Sequence, residues 1–343
     1  MSSKARSSAA TKKKKKPSPA TEPTSISILS LPNDVLLNCL ARVPILYYPI
    51  LSLVSKTFRS MIASSELYET RSRLNRTEKR LYLCIYFPLD PVTRWFTLCR
   101  LPDRNLTNKS SGYLMQEIPS PKYISPERSS TLVAVGSNVY KIGGADIEDR
   151  YTFWKRVHSS SVAVLDCRSH TWRNAPSMRM KRSSSSTASL LDGKIYVAGG
   201  CKDKYVHHNS PDWIEAFDTV TQTWGSVKNP RVFELHHEFR DKPFVAGSFP
   251  LEGKLYMFGD TFAVYHPEED RWDDLRYDYS NYRMSWGARS SHCVIDDVLY
   301  FWNSRVLEWY DIKASLWKEV KDLEILYGPL AQAVFYDRVK LVI

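Results

Sequence analysis

Apolar and polar positions divide the chain into two regimes. Between Leu31 and Leu74 the apolar residues fall at helical spacing. Val35, Leu36, Cys39, Leu40 and Val43 line one face of a helix that opens near Leu31-Pro32-Asn33-Asp34 and stops at Pro44. Ile50, Leu53, Val54, Phe58, Met61 and Ile62 line a second helix, opened by Pro49. Leu67, Tyr68 and Leu74 belong to a third, with Ser65 as its N-cap. Three short helices make a small core, so part of this apolar surface is expected to meet a partner or the following domain. From Leu81 onward the period changes to two. Short runs rich in Val, Ile, Tyr and Phe end in turn residues, the pattern of successive strands.

The strand regime repeats itself. Gly193-Lys194-Ile195-Tyr196-Val197-Ala198-Gly199-Gly200 is followed, after a polar excursion, by Trp213 to Asp218 and then by a turn leading to Trp224. Val139-Tyr140-Lys141-Ile142-Gly143-Gly144 matches its opening, Leu255 to Asp260 keeps one glycine, and Val298 to Asn303 keeps neither. Asp166 and Trp172, Asp218 and Trp224, His266 and Trp272, and Asp311 and Trp317 each stand six apart. Tyr140, Tyr196, Tyr256 and Tyr300 recur at intervals of 56, 60 and 44, and the tryptophans at 52, 48 and 45. A radial array of four-stranded sheets with variable loops produces such spacing. At the ends, Leu81–Phe87 and Arg94–Leu98 read as the last two strands of a unit, and Ala331–Tyr336 and Val339–Ile343 as its first two. The chain then forms five blades, one shared between its two ends, which leaves no open sheet edge. A ring of six blades is the alternative if the chain is a shortened form.

Two resemblances follow from these residues. Leu31-Pro32-x-Asp34-Val35-Leu36, the Val43-Pro44 stop, and Leu51-Ser52-Leu53-Val54-Ser55-Lys56-Thr57-Phe58-Arg59-Ser60 resemble an F-box, with Ser55 where Cys is common and Phe58 where Trp is common. The Tyr, double-glycine and Trp pattern over residues 131–320 resembles kelch repeats. Together they resemble the plant F-box/kelch-repeat family. The fold this implies is mainly β: a kelch-type β-propeller over 77–343, preceded by a small three-helix F-box over 30–76 and a disordered basic tail over 1–29. The resemblance implies a substrate receptor of a cullin–RING ubiquitin ligase. Leu31, Pro32, Val35, Leu36, Leu40, Val54 and Phe58 would bind a Skp-type adaptor and through it the cullin, while the propeller holds a target protein.

Charge refines the picture. The formal net charge is +11, but Lys4, Arg6 and Lys12 to Lys16 supply seven of those charges within the first twenty residues. Lys12 to Lys16 has the form of a nuclear-localisation signal, and a cytoplasmic or nuclear location is expected. The near-neutral remainder offers no basic face for nucleic acid. No apolar run reaches the roughly 18 to 20 residues that span a bilayer, so no membrane association is expected. Six scattered cysteines form no C-x-x-C pair and read as reduced thiols.

Sites for chemistry are sparse. Gly247 to Lys254 imitates a phosphate loop but has one residue too many, and Leu255 replaces the Ser or Thr that would hold magnesium. His207-His208 and His236-His237 are adjacent pairs whose side chains diverge on a strand. Some kelch propellers are copper radical oxidases, which sets a metal-dependent enzyme as an alternative, with Cys201 and Tyr205 the one local pair to suggest it. A propeller scaffold without a ligase role is a second alternative. No cofactor, metal or catalytic residue is expected. The repeat tyrosines and tryptophans read as core. Three irregular stretches, Cys201–Trp213, Arg231–Pro243 and Tyr277–Arg289, mix Arg, His, Tyr and Trp in the manner of interface anchors. From them come the expected target contacts Tyr205, His207, His208, Trp213, His236, Arg240, Arg283 and Trp286.

Overall fold

The computed structural model describes residues 28, 31–78, 80–85, 94–100, 113–121, 130–143, 158–201, 213–230, 245–259, 262–274, 292–302, 307–311, 314, 316–321 and 339–342. The chain divides between Thr77 and Glu78 into a helical unit and a β unit.

Among its described residues the helical unit contains four α-helices rather than three: α1 (Asn33–Ala41), α2 (Tyr48–Val54), α3 (Lys56–Ala63) and α4 (Ser65–Arg73), with a 3-10 turn at Ile45–Tyr47. The expected second helix breaks at Ser55, whose backbone is extended at φ −158° and ψ 161°. Its hydroxyl accepts the Phe58 N–H at 3.0 Å and so satisfies one of the free donors that open α3. A serine competes with the helical backbone in this way, which apolar periodicity alone does not reveal. The N-cap of α4 is Ser64, one residue earlier than expected. The Glu66 carboxyl lies below its ordinary range because it accepts its own backbone N–H and then the Ser64 hydroxyl.

Leu36, Leu40, Tyr48, Phe58, Met61, Ile62 and Leu67 form the core of this unit, with Leu31, Val43 and Leu51 packed against it. Arg71 is buried among them. Its Nη1 donates to the carbonyls of Ala41 (3.0 Å) and Val43 (2.7 Å) and to the Tyr48 hydroxyl (3.0 Å). Tyr48 in turn donates to the Leu40 carbonyl at 2.9 Å. Arg71 thus supplies a donor to carbonyls at and just beyond the end of α1, while the Leu40 carbonyl also accepts the Val43 N–H at 3.0 Å.

The β unit is a five-bladed propeller of four-stranded antiparallel sheets. Four blades are continuous in sequence. They are β4–β7 (Ser130–Val135, Asn138–Gly143, Val162–Asp166, Thr171–Ala175), β8–β11 (Arg182–Leu191, Lys194–Cys201, Ile214–Asp218, Thr223–Ser226), β12–β15 (Val245–Leu251, Lys254–Gly259, Phe262–His266, Arg271–Asp274) and β16–β19 (His292–Ile295, Val298–Trp302, Leu307–Asp311, Leu316–Glu319). The fifth joins the two ends, in the order β20 (Val339–Val342), β1 (Leu81–Ile85), β2 (Arg94–Arg100), β3 (Tyr113–Ile118). This blade takes one strand from the C-terminal end and three from the N-terminal end, rather than the expected two and two. Tyr82 faces Val342 and Ile85 faces Val339 across the closing pair. The missed strand, β3, lacks the tryptophan that marks the fourth strand of every other blade. Ala331–Tyr336 lies outside the described residues.

The repeat tyrosines and tryptophans join neighbouring blades. The Trp224 indole N–H donates to the Pro176 carbonyl at 2.8 Å, and Trp272 repeats the bond to Lys228 at 2.6 Å. Tyr82 donates to the Cys167 carbonyl (2.9 Å) and lies 3.3 Å from His170 Nε2. Gln222 reaches the Tyr140 hydroxyl at 3.5 Å. His170 and Gln222 occupy the same place in successive blades, two residues before the tryptophan, and both take positive φ (55° and 58°). The sequence repeat is therefore an inter-blade latch, with ring contacts such as Tyr196–Tyr265 at 5.8 Å adding apolar area.

Candidate functional site

Strand order makes the two faces of the propeller unlike. Successive strands of a blade alternate in direction, so the connections first-to-second and third-to-fourth emerge on one face. The second-to-third and blade-to-blade connections emerge on the other. On the first face the turns at 192–193, 252–253 and 296–297 are two-residue hairpin loops. Asp192 and Gly193 (φ 48° and 72°) and Asp296 and Asp297 (φ 49° and 58°) take the left-handed conformations that such loops need. The connections at 167–170, 219–222 and 267–270 are four residues long, and that at 101–112 is twelve. The other face carries the long connections 144–161, 202–213, 227–244, 275–291 and 320–338. The three irregular stretches singled out in the sequence all join strand ends on this second face.

Seven of the eight expected target contacts, Tyr205, His207, His208, His236, Arg240, Arg283 and Trp286, lie outside the described residues. The eighth, Trp213, is a correction. It is 3% exposed and packs with Tyr196, Ile214, Leu255 and Tyr265, so its side chain is core and does not contact a target. Burial of its large ring at the start of β10 removes more apolar area from water than a surface position could.

Sequence reasoning passed over a pair beside it. In the apolar and polar alternation of β10, Glu215 reads as a solvent-facing residue, yet it is wholly buried against Arg182, with Nη2 to Oε1 at 2.7 Å. The signal available in the sequence is positional. Glu308 stands three residues before Asp311 as Glu215 stands before Asp218, while Ala163 and Ala263 fill that place in the other two continuous blades.

The helical unit carries the second candidate surface. Of the seven expected adaptor contacts, Leu36, Leu40 and Phe58 are buried in the core, and Leu31 packs against it. Leu36, Leu40 and Phe58 hold the unit together from within, and their burial corrects the expectation that they face a partner. Pro32, Val35 and Val54 are exposed. Helix α2 turns opposite to the periodicity reading, with Tyr48 and Leu51 inward. Ile50, Leu53 and Val54, at i, i+3 and i+4, are left outward at 65%, 76% and 59% exposure.

Ionisation is perturbed at the junction of the closing blade. Burial, then the Arg80 charge, lowers His170 to about 4. Burial raises the neighbouring Cys167 thiol to about 11. Both groups lie against Tyr82 at the closing blade, where they are neutral near neutral pH and serve packing. All six cysteines are free thiols. Among the described residues no group of three His, Cys, Asp or Glu side chains is placed to hold a metal ion. The glycines of the phosphate-loop imitation belong to one hairpin, Gly247 in β12 and Gly253 in its turn.

Comparison with known proteins places these two surfaces in context. Residues 28–70 match the F-box domain, and residues 95–343 match the FKB95 kelch-repeats domain. A putative F-box/kelch-repeat protein of Arabidopsis thaliana is 55% identical, over 91% of this chain and 77% of its own length. Two further F-box/kelch-repeat proteins of Arabidopsis thaliana are 48% and 46% identical, covering 99% and 95% of this chain and 84% and 78% of their own lengths.

Proposed function

The chain belongs to the F-box/kelch-repeat family, and from that premise we propose that it is the substrate-recognition subunit of an SCF-type cullin–RING ubiquitin ligase. F-box domains bind Skp-type adaptors, and kelch propellers bind substrates. The observation that carries the reading here is the outward apolar set Val35, Ile50, Leu53 and Val54, on a helical unit whose core is already complete. A unit of this size gains nothing by leaving four large aliphatic side chains in water. Covering them recovers roughly 25 cal/mol per Å² of apolar area. Docking of these side chains into an adaptor groove is the helix-in-groove mode, with anchors at i, i+3 and i+4.

The loop-bearing face of the propeller holds the target protein. The chain itself makes and breaks no bond. By joining target and conjugating enzyme in one assembly it raises the effective concentration of target lysines at the reactive thioester. The assembly is tested by size-exclusion chromatography of the full chain with a Skp-type adaptor and a cullin. Co-elution of all three supports the reading. Elution of the chain apart from an intact adaptor–cullin complex removes the ligase role and leaves a propeller scaffold.

A further inference from the structure

Arg182 opens β8, Glu215 lies within β10, and neither side chain is exposed. Arg182 Nη1 donates to the Gly199 carbonyl at 2.7 Å and to the Trp213 carbonyl at 3.0 Å, and lies 3.5 Å from Cys201 Sγ. Glu215 accepts the backbone N–H of Arg179 (Oε2, 2.7 Å) and of Met180 (Oε1, 3.3 Å). The Arg182 backbone exchanges two hydrogen bonds with Ser159, each 3.0 Å, and Met178 N donates to the Ser160 carbonyl at 2.8 Å. One ion pair therefore touches both stems of the connection 202–213, the connection 176–181, and, through Ser159, the returning stem of the connection 144–161. All three connections lie on the loop-bearing face.

We infer that Arg182 and Glu215 are positioning residues that hold the stems of these three neighbouring connections in one frame, rather than determinants of the blade fold. Two arguments support this. First, the blade does not need an acid here, because Ala163 and Ala263 occupy the same place in two complete blades. Second, a buried ion pair gives up the hydration of both partners, and its replacement by apolar residues of similar volume is often neutral for stability. Apolar residues cannot bond to the carbonyls of Gly199 and Trp213 or to the N–H groups of Arg179 and Met180. These groups sit at strand ends, where the backbone can open to water without the rest of the sheet parting. The functional consequence, a preorganised target surface, rests on the assignment of that face above.

Hydrogen exchange of the full chain tests the inference, with Arg182→Met combined with Glu215→Leu. Amides within 178–182, 199–201 and 213–216 are expected to exchange roughly ten- to a hundredfold faster, the loss of hydrogen bonds to charged partners. Cys201 is expected to react faster with maleimide. Amides of β12–β19 and the thermal midpoint are expected to stay as in the unaltered chain. Arg182→Lys falls between, because a point charge cannot reach one carboxylate and two carbonyls together. Unchanged exchange at the stems, or loss of protection throughout the propeller, overturns the inference. A target that binds elsewhere leaves the exchange result standing and removes only its functional consequence.

Discussion

At Gly247 one added carbon finds no free space. A Cβ built there lies 2.3 Å from Phe258 Cζ, and 2.8 Å from both Phe258 Cε1 and His292 Cε1. Neither ring has an easy retreat. Phe258 is buried and packs edge-on against His292, with centroids 5.1 Å apart, and Phe249 closes the other side at 6.2 Å. His292 is further tethered by its Nε2, which donates to the Ser248 carbonyl at 3.1 Å. Gly247→Ala is thus an overpacking change at a blade junction, expected to cost about 2 kcal/mol and to lower the Tm by roughly 4–8 °C. Phe258→Leu deletes two of the three opposing atoms. Alone it destabilises, since it empties part of the core. Combined with Gly247→Ala it is expected to recover part of the loss, with a coupling energy of about 1–2 kcal/mol. Thermal unfolding of the four chains by calorimetry measures this. A Gly247→Ala protein as stable as the parent, or a Phe258→Leu cost that is the same in both backgrounds, refutes the packing argument.

Other predictions follow from single contacts. His170 is held near pKa 4 in the folded chain against an ordinary 6.5. The unfolded chain therefore binds its proton first, and stability is lost as pH falls from about 6.5 to about 4. His170→Gln, the residue of the equivalent place at Gln222, flattens that part of a urea-midpoint profile. Trp272→Phe removes the bond to Lys228 and costs about 1 kcal/mol in urea unfolding. Trp172→Phe costs less, because the Trp172 indole N–H is buried with no partner among the described residues. Tyr48→Phe takes a donor from the Leu40 carbonyl and an acceptor from Arg71, which lowers the helical unit's stability by about 1–3 kcal/mol as followed by helical circular dichroism.

Side chains that recur made the propeller legible. Tyr140, Tyr196, Trp224 and Trp272 stand at fixed places because each blade must latch to the next, so the latch writes itself into the sequence. β3 was hidden because a strand without that tryptophan looks like any short apolar run, and its omission displaced the closing blade by one strand. In the helical unit, periodicity located the apolar residues but not which of them face inward. Ile50, Leu53 and Val54 share a face, and so do Tyr48 and Leu51. The choice between the faces is made by tertiary contacts such as Arg71 to Tyr48, which join residues 23 apart. Glu215 escaped notice for a related reason. Its partner Arg182 is 33 residues away, and alternation by itself assigns a charged strand residue to solvent.

The ligase reading turns on whether the outward face of α2 is an adaptor-binding surface. Isothermal titration of a Skp-type adaptor into the full chain, unaltered and with Ile50→Asp and Leu53→Asp together, measures this directly. Both positions are exposed, so the variant is expected to keep the thermal midpoint of the parent while its affinity for the adaptor falls roughly a hundredfold or more. Equal affinity in the two proteins, with both folded, would contradict the assignment.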